Sequence, residues 1–206
     1  MSPFRSFDPC TLLAPLPAVM VSCQGTAPNS KPNIITIGWT GTVCSHPPMV
    51  SISVRKERFS YDMIRESGEF VINLVGRKQL KAVDFCGVKS GRDMDKWQAM
   101  DLTPMPLKEL DYAPAIEECP AYLGCKVRQV LSLGSHDMFI GEIVSVGAQA
   151  ELFDDKGSLH LDRAGLVCYS HGIYHFAGAP KGFFGFSLAD EKVFKRRMAA
   201  LKPEKK

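Results

Sequence analysis

Apolar and polar positions alternate most regularly over residues 48–55, where Val50, Ile52 and Val54 share one face and Ser51, Ser53 and Arg55 the other. Residues 17–23 are apolar and β-branched, and residues 33–43 set Ile, Thr, Trp and Val among small side chains. Residues 69–75, 122–133, 138–146, 166–169 and 173–176 also predict strands, the last two joined by a hairpin turn at Ser170-His171-Gly172. Helical periodicity is confined to residues 59–67, 79–85, 94–100 and 190–201. Strands dominate without a βαβ rhythm. The pattern predicts a mainly β chain with short helices, an antiparallel barrel or sandwich rather than a doubly wound parallel sheet. Residues 101–120 hold Pro104, Pro106, Pro114 and Pro120 and predict a long surface excursion within one domain. No internal repeat or low-complexity segment interrupts the chain.

Composition narrows the class. A chain of 206 residues, 45% hydrophobic and 23% charged, suits one globular domain and excludes collagen, coiled coil and disorder. No window approaches the roughly 18 consecutive apolar residues of a membrane helix, and no signal peptide is visible, so a cytoplasmic protein without membrane contact is expected. The net charge of +3 is unevenly spread. From Asp190 onward there are seven Lys and Arg against three Asp and Glu, which leaves 18 of the chain's 25 basic residues against 19 of its 22 acidic ones before it. Residues 1–189 are therefore read as one near-neutral domain and residues 190–206 as a basic helix or tail. A neutral body with no strand of alternating aromatic and basic residues argues against a nucleic-acid partner. Seven cysteines cannot all pair, and none forms C-x-x-C; small buried hydrophobes in a reducing compartment are expected. Cys44 and His46 have no second pair nearby, so no metal centre is expected.

Candidate chemistry concentrates in residues 33–60. Thr36, Thr40 and Thr42 fall on alternate positions, with Gly38 and Gly41 leaving room for close approach. Ser45-His46-Pro47 is short enough to join this stretch to 48–55 as a hairpin, so two hydroxyl-bearing faces would adjoin. Ser60 is a candidate N-cap for the next helix, whose N-terminus favours an anion. Arg55 and Arg58 beside it, with Ser51 and Ser53, would make a phosphate cradle, since the guanidinium fork binds phosphate oxygens in pairs. A solvated sheet face with exposed arginines is the competing reading. Lys89, Ser90 and Arg92 form either a loop over an anionic ligand or a charged surface loop. His136, at a strand entrance, is a candidate catalyst or a surface residue. There is no G-x-G-x-x-G after a strand, no P-loop and no nucleophile elbow.

Six stretches in order resemble the flavin reductase-like family, especially its flavoredoxin branch: residues 33–42, 46–55, 58–60, 68–74, 90–96 and 136–142. The resemblance runs from about residue 8 to about residue 176. It implies an FMN-binding split β-barrel that works as a homodimer, with FAD as the other possible flavin. It also implies that Thr36, Trp39, Thr40 and Thr42 line the flavin. Ser51, Ile52, Ser53 and Arg55 would follow the isoalloxazine and ribityl chain, partly through backbone groups. Arg58 and Ser60 would hold the phosphate, and Lys89, Ser90 and Arg92 would approach from the side or across the dimer. His136 matches a histidine on the nicotinamide side in a Gly-Asp-His stretch; here Ser135 precedes it and the acid follows at Asp137. The implied function is a flavin-dependent oxidoreductase using NAD(P)H. The alternatives are a flavoredoxin-type carrier reduced by a redox partner protein, or a flavin-binding protein without turnover.

Overall fold

The computed structural model describes residues 3–201. The strands are β1 (Leu16–Pro17), β2 (Val19–Cys23), β3 (Asn33–Ile37), β4 (Thr40–Ser45), β5 (Pro48–Arg55), β6 (Glu69–Leu74), β7 (Pro104–Met105), β8 (Ala115–Ile116), β9 (Ala121–Ser132), β10 (His136–Ala148), β11 (Val167–Ser170) and β12 (Ile173–Phe176). The α-helices are α1 (Phe59–Ser67), α2 (Leu80–Val88), α3 (Lys96–Ala99) and α4 (Glu191–Ala200).

Seven strands form one antiparallel sheet in the order β3-β2-β6-β9-β10-β5-β4. Its two edges, β3 and β4, are consecutive in the chain. Residues 33–43, expected as one strand, bend at Gly38 and Trp39, so the first half pairs with β2 and the second with β5. The Ser53 N–H donates to the Trp39 carbonyl at 2.9 Å and pins the corner. No ladder joins β3 to β4, so the curled sheet is a split barrel rather than a closed one.

Strand alternation distributes the core. Val19, Val21, Val50, Ile52, Val54, Phe70 and Phe139 meet inside the curl, where α1 adds Tyr61 and Ile64. Met20 and Ile34 face the other way, against Val83 and Cys86 of α2, Trp97 and Ile116. Gly141 follows a register break in β10, where a Cβ would lie 2.7 Å from Phe70 Cζ, so the bulge and the missing side chain admit that ring.

Residues 101–120 are not a surface excursion. Leu107, Leu110, Ala113 and Ala115 pack on Val71 as a third apolar cluster. The Glu69 carboxylate accepts from the backbone N–H groups of Asp111, Tyr112 and Ala113, and Asn73 Oδ1 accepts from Ile116 N. The prolines shape a buried loop whose polar backbone is satisfied by two side chains of β6. The helix expected over 94–100 is the single turn α3, capped by Asp95 Oδ1 on the N–H groups of Trp97 and Gln98. The β11–β12 hairpin turns at His171 and Gly172, both with positive φ. Asp190 caps α4 through Val193 N; residues 202–206 of the basic tail lie outside the described residues.

Candidate functional site

Alternation along β5 buries Val50, Ile52 and Val54 and turns Ser51, Ser53 and Arg55 to the other face. β10 extends that sorting, because His136 pairs with Arg55 and Asp137 with Val54. His136 thus stands on the open face and Asp137 on the core side. Asp137 accepts from Tyr61 Oη at 2.6 Å and Ser132 Oγ at 2.9 Å, and lies 3.4 Å from Lys56 Nζ. The Tyr61 hydrogen bond, more than the others, holds its carboxyl below the ordinary value. Asp137 therefore belongs to Tyr61, and Ser135 Oγ is the hydrogen-bond partner of His136 Nδ1, at 2.9 Å.

A cavity of about 450 Å³ opens on this face, walled by β3, β5, α2 and the β11–β12 hairpin. The rings of Trp39 and His136 stand in its wall, centroids 4.5 Å apart and tilted by 40°. Burial, then the charge of Arg55, pushes the His136 pKa down, so the neutral imidazole is favoured. A second cavity, about 230 Å³, shares Ile35, Arg58 and Gly87 with the first. The start of α1 and the loop after α2 enclose it. Arg92 Nη1 donates to the Glu57 carbonyl at 3.0 Å, tying that loop to the residues before α1. A third, about 430 Å³, meets the first at Leu16, Trp39 and Ser53 and reaches the N-terminal residues 10–13.

Thr36, Trp39, Ser53, Arg55, Arg58 and His136 line the first cavity. Arg58, Ser60, Lys89, Ser90 and Arg92 line the second. Thr40 and Ser51 line the third. The Ile52 side chain is in the core, so only its backbone is available to a ligand. Thr42 is exposed and lines none of the three. The hydroxyl faces of β4 and β5 do not adjoin directly, because the register sets Gly41 opposite Ser51 and Thr40 opposite Ile52. The Thr36 hydroxyl donates to the Val83 carbonyl, fastening β3 to α2.

Ser60 is not the N-cap of α1. Arg58 has the extended backbone of a cap, φ −73° and ψ 137°, and makes no side-chain cap bond. Ser60 is already one residue inside the helix, where its buried hydroxyl accepts from Asn33 Nδ2 at 2.8 Å. Sequence reasoning missed Asp84, Gly87 and Val88, which α2 presents to the first cavity at helical spacing. The periodicity of residues 79–85 includes Asp84 but stops short of Gly87 and Val88, whereas α2 continues to Val88. It also missed Tyr169 and Tyr174 of the hairpin, whose sheet neighbours carry no local signal for a shared cavity. Burial, then Asp84, pushes the Tyr174 phenol up to about 12.

The sequence model of the flavin reductase like domain matches residues 13–175. The chain belongs to the flavin reductase-like family. Flavoredoxin of Desulfovibrio vulgaris (Miyazaki F) superposes with a TM-score of 0.81 at 30% identity, covering 89% of this chain and 98% of that one. A relative of unassigned function from Archaeoglobus fulgidus is 33% identical over 116 residues, 56% of this chain. That match spans 65% of the relative's own length. FMN reductase (NADH) RutF of Pseudomonas syringae pv. syringae is 28% identical over 136 residues, 60% of this chain and 71% of that one.

The cavities of this family member fit FMN by their chemistry. The first has the size of a small-molecule site, about 300–1,000 Å³, and its walls include Trp39, Ile35, Ile37 and Val88 beside polar groups. The second gathers Arg58, Lys89, Arg92 and Lys96 at the N-terminal turn of α1, a setting for a phosphate.

Proposed function

We propose that this protein is an FMN-binding oxidoreductase that accepts reducing equivalents from NAD(P)H and works as a homodimer in the cytoplasm. The observation that carries the reading is the junction at Ile35, Arg58 and Gly87 of an aromatic and apolar cavity with a cationic one. A planar ring carrying a phosphate at the end of a short chain has that shape and charge. Bound FMN would supply the hydride and electron transfer. The chain's own residues bind, orient and exclude water. Arg58, Lys89, Ser90 and Arg92 hold the phosphate with the first-turn N–H groups of α1. Ser51, Ser53, Arg55 and the Ile52 backbone follow the ring and the chain leading to the phosphate, with Thr36, Trp39 and Thr40 at its border. His136, kept neutral, offers an uncharged nitrogen on the nicotinamide side. Exposed apolar side chains on the β4 edge and both terminal segments, Val43, Leu13, Phe184 and Leu188 among them, support a second copy as partner. Cysteines that are all free support a reducing compartment.

A second reading, a carrier reduced by a partner protein, is favoured by the likeness to flavoredoxin. One experiment separates the two. The purified protein, loaded with FMN, is mixed anaerobically with NADH or NADPH. Bleaching of the visible flavin band supports the nicotinamide-dependent oxidoreductase. A band that stays oxidised until a protein donor or dithionite arrives supports the carrier, and a protein that cannot be loaded overturns both.

A further inference from the structure

Asp84 is the one carboxylate among the described residues that line the first cavity, where it faces Arg55 and Arg58. α2 carries it there together with Gly87 and Val88. Among the described residues it forms no ion pair. Its tie is to the β11–β12 hairpin, through a hydrogen bond between the Tyr174 hydroxyl and the Asp84 carboxylate. Tyr169 braces Tyr174 in turn, their rings edge to face with centroids 5.2 Å apart. Burial, then Asp84, pushes the phenol up to about 12, so its proton stays on Tyr174 and the negative charge stays on Asp84. A carboxylate bonded to a neutral phenol keeps its full unit charge. That charge acts on whatever the cavity holds, and more strongly where protein and ligand replace water.

We propose that Asp84 tunes the reduction potential of a flavin in the first cavity: its carboxylate, held at the wall by Tyr174, opposes the negative charge of the reduced ring and makes the bound flavin a stronger reductant. The proposal rests on the FMN reading for the identity of the ring. An oxidised flavin ring is neutral, and two electrons with one proton turn it into an anion. A fixed negative charge nearby therefore disfavours the reduced form, whereas the Arg55 guanidinium acts in the opposite sense. Asp84 also ties α2 to the hairpin, and a tether alone would act through shape. Two substitutions separate charge from tether. Asp84→Asn removes the charge and keeps an oxygen that can accept from Tyr174. Tyr174→Phe removes the bond and keeps the charge.

The test measures the midpoint potential of bound FMN in the wild type and both variants, by anaerobic reduction with dithionite against a reference dye. Relative to the wild type, Asp84→Asn should favour reduced over oxidised FMN about tenfold more, a rise of about 30 mV for a two-electron couple. Tyr174→Phe should leave the potential where it is or lower it. An unchanged potential in Asp84→Asn overturns the proposal. So does an equal rise in Tyr174→Phe, which would put the tether in place of the charge. Should Asp84→Asn fail to fold, Val88→Asp carries the test. Val88 is 72% exposed, one helical turn further along the same cavity wall, and a second carboxylate there should lower the potential; an unchanged value overturns the proposal. A wild type that takes up no FMN fails the flavin reading and takes this proposal with it. A loaded protein whose potential ignores these charges fails the proposal alone.

Discussion

Arg58 belongs to both cavities, and its place follows from one backbone feature: it holds the extended cap position before α1. Replacing it by Ala should cost about 1.5–3 kcal/mol of FMN binding, the worth of a charged hydrogen bond, and leave riboflavin binding nearly unchanged. Calorimetric titration of the two ligands checks this; parallel losses would mean that Arg58 does not meet the phosphate. Asp137 makes a different prediction. Its lowered pKa contributes stability that is present above its ordinary value of 3.8 and is lost as pH falls through the depressed native value. Tyr61→Phe should therefore destabilise the protein at pH 7, and by clearly less in acid below that value. Urea melts at the two pH values read the difference, and a pH-independent cost would contradict it. Ser51, Ser53 and Arg55 could be assigned to one face from the sequence because alternation along a strand is local. The partner of Ser60 could not, because Ser60 is in α1 whereas Asn33 is in β3.

The loop after α2 encloses the second cavity only because Gly91 has no side chain. A Cβ there would run into Asn33 and lie 2.8 Å from Phe59 Cδ1. Gly91→Ala should cost about 1–3 kcal/mol of stability, as overpacking does, and weaken FMN more than riboflavin by moving Lys89, Ser90 and Arg92. Thermal melts and paired titrations check both effects; a variant as stable as the wild type would show that the loop is not pinned. Most strands were readable from periodicity and the β11–β12 turn from its Gly. The bend at Gly38 was not, because it is set by which strands lie on either side. Nor was the packing of residues 101–120, where Leu107 and Leu110 find Val71 through the chain's return to β6.

The curled sheet owes its open seam to a single segment serving both edges, and the site lies beside that seam, bounded by β3, the Trp39 corner and β5. The free edge β4 and the exposed apolar terminal segments predict that the protein sediments as a species of about twice its 22.7 kDa; a 22.7 kDa species at micromolar concentration would contradict the dimer. The mainly β, antiparallel class was readable from the excess of strands over helices and the split barrel from the family resemblance, while the junction of the cavities depends on β3, the start of α1 and α2 meeting across long sequence separations. Trp39 reports on the first cavity, because it is 42% exposed beside His136 whereas Trp97 is buried with its Nε1–H on the Pro32 carbonyl. The decisive measurement is a titration of the flavin-free Trp97→Phe protein with FMN and with riboflavin, followed by tryptophan fluorescence. Both should quench Trp39, with FMN binding at least about tenfold more tightly, the value of one phosphate contact. Equal affinities, or binding that leaves Trp39 unquenched, would contradict a flavin lying beside Trp39 with its phosphate at α1.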